Sequence, residues 1–329
     1  MIGEDAAIDA LAGETLSLLK DEHGKPRWES YLQKLLPDGR LLILGNGRRG
    51  AIYGIYDLSQ KFGVSPWYYF ADVPVRQREE ISLPADYENA DWPSVQYRGI
   101  CLNDEEERNA WAKLHTTDGT IGPATYRPVF ELILRLKGNY IWPAMHVNAF
   151  NADPENGRLA DEMGIVVGTS HCDMLLRSNQ HELDPWVEKK GYTGLLYDYS
   201  LEENRPKLQE YWKESVEQNA AYEVSFTLGM RGIHDSGFRT RAIDENAALS
   251  EEQKLEARVR LLEKVISDQR EIIRSVLHHE RPDQALQVFI PYKEVLPLYD
   301  AGLVLPEDIT VMWTNDNFGH IRRYPSKQE

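Results

Sequence analysis

Cysteine is scarce: the chain holds two among 329 residues, Cys101 and Cys172. Two cannot form a disulfide framework, and no Cys-x-x-Cys pair offers a redox or zinc motif. Basic residues are in deficit, with 37 Lys and Arg against 53 Asp and Glu, a formal charge of −16. That excludes a general nucleic-acid binder, which needs a cationic surface to displace counterions from phosphate. An anionic ligand would have to be held by a few local arginines or lysines. Long apolar runs are also missing; stretches such as Leu41-Leu42-Ile43-Leu44 fall far short of the ~18 residues that cross a bilayer, so no membrane partner is expected. The opening MIGEDAAIDALAGETL has no basic start followed by an apolar stretch, hence no signal peptide, and both ends read as cuts in a longer protein. What is present is ordinary for a folded chain. With 42% hydrophobic and 27% charged residues, it can build a sizeable core in one large or two medium domains.

Residues 1–94 read as a partial α/β domain and linker. Leu41–Leu44 is a buried-strand pattern, Ala51–Phe62 has helical spacing, and the aromatic run Pro66–Phe70 looks strand-like. Pro74, Pro84 and Pro93 then mark a stretch of little periodicity. From residue 95 to 329, apolar runs recur between helical stretches, as in a parallel sheet of βα units. The predicted strands are Tyr97–Leu102, Asn139–Ala144, Gly164–Gly168, Val224–Gly229, Leu286–Pro291 and Ile309–Trp313, and the clearest helix is Glu251–Leu277. Six strands fit a (β/α)8 barrel that lacks its last two units; alternation alone also allows a doubly wound sheet.

Gly45-Asn46-Gly47-Arg48-Arg49-Gly50 has the glycine spacing of a dinucleotide loop between a strand and a helix. Its surroundings favour a structural turn, because the next apparent strand starts with a proline and two arginines crowd the loop. Polar groups collect instead after the later strands: Asn103-Asp104-Glu105-Glu106-Glu107, Ser170-His171-Cys172-Asp173, Met230-Arg231-Gly232-Ile233-His234-Asp235, Tyr292-Lys293-Glu294 and Asn315-Asp316-Asn317. In a barrel all these segments converge on one face. Each has a plainer explanation: Asp104 and Asn103 as helix caps, His171 as a structural histidine, Arg231 and Asp235 as a local pair. Glu294 is the hardest to explain away, since a carboxylate just past a buried strand is costly unless paired, hydrated or functional. Asp235 and Glu294, with Asp104 as a third contender, suit glycosidic hydrolysis by an acid and a base. Arg231 would offer a fork for a substrate carboxylate. His171, His234, Asp173 and Asp235 could instead ligate a metal, although their spacing matches no compact metal motif.

At these residues the chain resembles glycoside hydrolase family 115, the xylan α-1,2-glucuronidases. The stretches that carry the likeness include GRRGAIYGIYDLSQKFGVSPWYYFADVPV, YRGICLNDEEE, ELILRLKGNYIWPAM, GIVVGTSHCDML, FTLGMRGIHD, FIPYKEV and VMWTNDNFGHIRR. The resemblance implies a (β/α)8 barrel behind a small α/β domain. It also implies inverting removal of glucuronic acid or its 4-O-methyl ether from glucuronoxylan or its oligosaccharides, with no metal or cofactor. By position it marks Glu294, Asp235 and Asp104 as catalytic candidates, and Asn103, His171, Arg231, Tyr292 and Asn317 as substrate-binding ones. In that scheme Glu294 protonates the leaving oxygen, Asp235 activates water and Arg231 orients the uronate, with acid and base open to exchange. A secreted or periplasmic parent protein is expected from the substrate, and a homodimer is left open. A noncatalytic carbohydrate-binding relative and a nucleotide-dependent oxidoreductase stand as the competing readings.

Overall fold

The computed structural model describes residues 6–104, 106–277, 285–316, 318–321 and 323. Its contacts divide the chain into two units. The first takes in the described residues up to Ile100, with Ala124–Tyr140 and Glu162–Ile165; the second takes in Cys101–Pro123, Ile141–Asp161 and the described residues from Val166 onward.

The chain opens with α1 (Ala6–Ala12) and a 3-10 segment, Gly13–Leu19. A three-stranded antiparallel sheet follows, in which β1 (Tyr31–Leu35) lies between β2 (Leu41–Gly45) and β3 (Glu88–Asp91). Ala12, Leu19, Leu32 and Leu44 form a small core here. Helix α2 (Gly47–Lys61) lies close against the β1–β2 pair, and the glycines explain how. A side chain at Gly50 would meet the Ser30 carbonyl oxygen at 2.4 Å, and one at Gly54 would meet the Ile43 side chain at 2.8 Å. The glycine motif is therefore a packing device. A dinucleotide fold needs a parallel βαβ unit, whereas β2 runs antiparallel to β1. Two expectations fail in this region. Residues 66–70 form turns rather than a strand, and Trp67 is 45% exposed. Glu88–Asp91, within the expected linker, is instead a strand, because its backbone pairs with β1 despite a polar sequence.

Beyond residue 95, each predicted strand contains an observed one: β4 (Gly99–Cys101), β5 (Tyr140–Trp142), β6 (Val166–Val167), β7 (Ser225–Leu228), β8 (Leu286–Phe289) and β9 (Thr310–Val311). Between them lie α3 (Glu106–His115), α4 (Pro123–Arg135), α5 (Pro154–Met163), α6 (Leu183–Lys190), α7 (Arg205–Asn219), α8 (Arg241–Asp244), α9 (Glu251–Leu277) and α10 (Val295–Asp300). The strands are ordered as they occur in sequence: β4-β5-β6 and β7-β8-β9. A parallel bridge between Val167 and Val224 lies between the two groups, and β7, β8 and β9 pair in parallel. The architecture is mixed α/β with short strands; an eight-stranded barrel needs two more than these six.

Helix α9 shows why the local sequence folds as it does. Ser250 Oγ accepts from the Gln253 backbone N–H at 3.2 Å while Gln253 Oε1 accepts from the Ser250 N–H at 2.9 Å, a reciprocal cap that fixes the start of the helix. Val259, Leu262, Val265, Ile266 and Ile273 then recur at helical spacing and are buried, each worth roughly 1.5–3 kcal/mol of apolar burial. The helix packs against α7, whose Tyr211, Trp212 and Val216 are likewise buried. Among the described residues no helix is long and apolar enough to cross a membrane.

Candidate active site

The site is assembled where β7 and β8 end. Gly229, with φ +115°, turns the chain out of β7. The fully buried Gln269 of α9 holds it there: its amide accepts from the Gly229 N–H and donates to the Gly229 carbonyl, both at 2.8 Å. Two residues later Arg231 is 2% exposed. Its Nε and Nη2 each donate to the Glu294 carboxylate at 2.8 Å, and its Nη1 donates to Asp235 Oδ1. One guanidinium thus holds both candidate catalytic carboxylates, whose side chains remain 32% (Asp235) and 34% (Glu294) exposed. Arg231, expected to offer its fork to a substrate carboxylate, here points its donors at the protein's own acids. The fork is bidentate to Glu294, and the buried guanidinium spans the two acids instead.

Asp235 gathers more partners. His171 Nε2 lies 3.0 Å from Oδ1, Cys172 Sγ lies 3.5 Å from it, and Lys293 Nζ donates to Oδ2. Burial penalises the charged carboxylate, but Lys293 and Arg231 outweigh that penalty and hold Asp235 well below the usual carboxylate range. His171 moves the other way: its own burial, then the nearby Arg231 charge, lowers it. A neutral imidazole facing an ionised acceptor must carry its proton on Nε2. Burial, reinforced by Asp173 and Asp235, pushes the Cys172 thiol up to about 12. Tyr292 packs its ring 4.4 Å from the His171 ring and lies 5.8 Å from the Arg231 guanidinium carbon.

Backbone conformation places several of these groups. His234, Asp235 and Lys293 have φ of 53°, 56° and 49°, a left-handed region that non-glycine residues enter at a cost. The loop holding His234 is tied to the loop after β6 by Asn179, which is 2% exposed. Its amide donates to the Cys172 and Gly232 carbonyls at 3.0 and 3.2 Å, and its Oδ1 accepts from the His234 N–H at 3.3 Å. Beneath it, Asp173 is buried so completely that its carboxyl is pushed up to about 8.

Asp104, the third catalytic candidate, is engaged with the backbone of a neighbouring loop. It is 1% exposed, and its oxygens accept from the backbone N–H groups of His146, Val147 and Asn148 at 2.9, 2.7 and 2.8 Å and from the Asn148 amide at 2.8 Å. It fastens the loop after β5 and so positions His146, whose ring lies 4.3 Å from that of His234. Asn103 lines the same cleft of ≈ 320 Å³, together with His146, His171, His234 and Asp235. A second cleft of ≈ 340 Å³ is lined by Tyr292, Lys293, Trp313 and Phe318. The structure therefore brings Arg231, Asp235, Glu294, His171 and Tyr292 together, with Asn103 and Asp104 on the adjoining wall. Asn317 lies outside the described residues.

Sequence reasoning gave no site role to Asn179 or His146, whose roles rest on pairings across distant loops. It gave none to Lys293 either, although that residue sits between two nominated ones. Of the residues weighed as metal ligands, His171 and Asp235 meet, with Cys172, closely enough for their ligand atoms to lie within 4.8 Å of one another. The donor set fits a cation poorly, because Asp235 already faces Arg231 and Lys293 and Cys172 resists deprotonation.

Residues 90–329 match the sequence profile of glycosyl hydrolase family 115, and the chain belongs to that family. It is similar to a solved family 115 4-O-methyl-α-glucuronidase with specificity for decorated arabinogalactans, at 34% identity and a TM-score of 0.84 over 99% of this chain and 41% of the other. The chain thus spans about two-fifths of that relative's length. A chitobiase from Flavobacterium johnsoniae is 12% identical with a TM-score of 0.48, covering 89% of this chain and 43% of the other. That likeness is too distant to carry an argument. No curated protein compared with the chain matches it.

Proposed function

We propose that the chain carries the catalytic face of an α-glucuronidase, within a (β/α)8 barrel of which β4 to β9 are part. The observation that carries this reading is the pair of part-exposed carboxylates, Asp235 and Glu294, held on one buried guanidinium at the ends of adjacent strands. An inverting glycosidase needs one carboxylic acid to protonate the leaving oxygen and one carboxylate to activate water. Asp235 is held ionised by Lys293 and Arg231, which suits it to the base and leaves Glu294 as the acid. Glu294 accepts from Arg231 twice and from the Phe238 N–H at 3.0 Å, and the remaining lone-pair direction is where a proton would sit. In the reaction, the glycosidic C1–O bond breaks as Glu294 gives its proton to the departing oxygen. Water attacks C1 from the opposite face and passes its proton to Asp235. The product is the free uronic acid with inverted anomeric configuration.

The substrate in this proposal is glucuronic acid or 4-O-methylglucuronic acid linked α-1,2 to xylan. A second reading, decorated arabinogalactan, is favoured by the specificity of the similar solved structure. Either polysaccharide would place the protein's work outside the cytoplasm. The test incubates the native protein with glucuronoxylan and with decorated arabinogalactan and follows the released sugar by proton NMR. β-Configured uronic acid appearing first from one polymer supports the mechanism and selects the substrate. A first-formed α-anomer would overturn inversion, and no release from either polymer would overturn the activity.

A further inference from the structure

We propose that Lys293 is the residue that reads the substrate's carboxylate, and that in turning to it Lys293 releases Asp235 to act as the base. The inference rests on the α-glucuronidase reading above and adds how a uronic acid is told from a neutral sugar. A uronate brings one negative charge into a partly desolvated cleft, where it must be paired. Arg231 cannot supply the partner, because it is buried and committed to Glu294 and Asp235. Among the described residues no Arg or Lys lines the cleft that holds Asp235. Along the neighbouring cleft the described cations are Lys293 and Arg323, and Arg323 bonds to Asp300 at 3.0 Å and lies over the Trp313 ring. Lys293 remains. Its side chain is 48% exposed, and its ammonium has three donors, one of them spent on Asp235.

The charge count agrees. Before reaction Arg231 and Lys293 face Asp235 and Glu294; once Glu294 carries the proton it must donate, two cations face one anion. The uronate restores neutrality. It also weakens the contact that Lys293 makes with Asp235, the strongest of the influences that hold that carboxylate ionised, so binding of the correct sugar raises the basicity the reaction needs. A neutral hexose would leave Lys293 on Asp235 and the base weak.

The test compares native protein, Lys293→Met and Lys293→Arg on two oligosaccharides from the polymer the enzyme cleaves. One bears the α-linked uronic acid, and the other bears the same sugar reduced to its neutral 6-hydroxymethyl form. Lys293→Met is expected to lower kcat/KM for the uronosyl substrate on the order of tenfold to a hundredfold, the loss typical of a charge-assisted hydrogen bond. The neutral substrate should lose nothing and gain several-fold, as Asp235 is freed of its cation, so that discrimination collapses, and Lys293→Arg should recover part of it. The acid limb of the kcat/KM profile should also move to higher pH in Lys293→Met, as Asp235 loses its partner. Equal losses on both substrates, or discrimination kept in a variant with native melting, would overturn the assignment. If native protein cleaves neither, the α-glucuronidase reading itself fails; if it cleaves only the uronoside while Lys293→Met keeps that preference, only the role of Lys293 fails.

Discussion

Two ion clusters in this protein invert each other. Near the start of the chain one carboxylate, Glu29, lies between two arginines: Arg49 Nε and Arg98 Nη2 donate to it, as does Asn139 Nδ2 at 2.9 Å. At the ends of β7 and β8 one arginine lies between two carboxylates. Both clusters contain a left-handed residue, with φ of 50° at Glu29 and 56° at Asp235, so backbone strain does not separate them. Exposure does. The Glu29 side chain is 10% exposed, and although its burial opposes ionisation, Arg98, Asn139 and Arg49 hold it below the usual range. Asp235 and Glu294 keep a third of their surface open. A carboxylate saturated by cations and sealed from water is a structural rivet, whereas two that share a buried arginine, with one exposed lysine beside a cleft, keep acceptor capacity for chemistry.

The sharpest test of this contrast exchanges single oxygens for amides. Glu294→Gln should lower turnover of uronosyl substrate by 10²–10⁴-fold, the range for removing a general acid, while the melting curve stays cooperative. A purely carbohydrate-binding protein would show no turnover to lose. Glu29→Gln should do the reverse: about 3–5 kcal/mol of stability is lost, because two partly buried arginines lose their counter-ion. Urea unfolding would read this, with kcat unchanged below the melting range. If Glu29→Gln abolished turnover in folded protein, the rivet reading would fall.

Smaller effects probe what holds the open cluster in place. Gln269→Leu should cost about 2 kcal/mol, the desolvation penalty of leaving the Gly229 N–H and carbonyl unpaired. It should also lower kcat more than it raises KM, since Arg231 follows two residues on. Asp173→Asn tests linkage. Asp173 has a folded value near 8, above the ~3.9 of an unfolded aspartate. The native state therefore binds the extra proton between those limits. Its stabilising contribution is full below about pH 4 and is lost as pH rises through about 8. The native melting temperature should fall between pH 6 and 8.5 more steeply than that of Asp173→Asn, and parallel curves would remove Asp173 from the account.

Much of the second half was legible from sequence because its strands are short, continuous apolar runs separated by helices with clear periodicity. Phe226, Leu228, Val288 and Phe289 are buried as such runs require. The first half was harder. The polar Glu88–Asp91 becomes a strand through backbone pairing with β1 and side-chain bonds such as Asn89 to Gln33, and the aromatics of residues 66–70 serve as side-chain partners in turns, as where Tyr68 donates to Glu131 at 3.2 Å. In the site, residue types just past strand ends pointed to Asp235, Glu294, Arg231 and His171. What each one touches could not be read. That Arg231 reaches Glu294, that Asp104 fastens a loop and that Lys293 reaches Asp235 depend on contacts between residues some forty to sixty positions apart.

The left-handed backbone at His234, Asp235 and Lys293 has an evolutionary corollary. Each such residue costs on the order of 1–3 kcal/mol, a cost that glycine would relieve. Selection for heat tolerance alone would therefore drift toward glycine at these three positions and strip out the side chains that the proposed reaction uses while strengthening the scaffold. Breeding a hardier variant should hold them constant and seek its gains elsewhere.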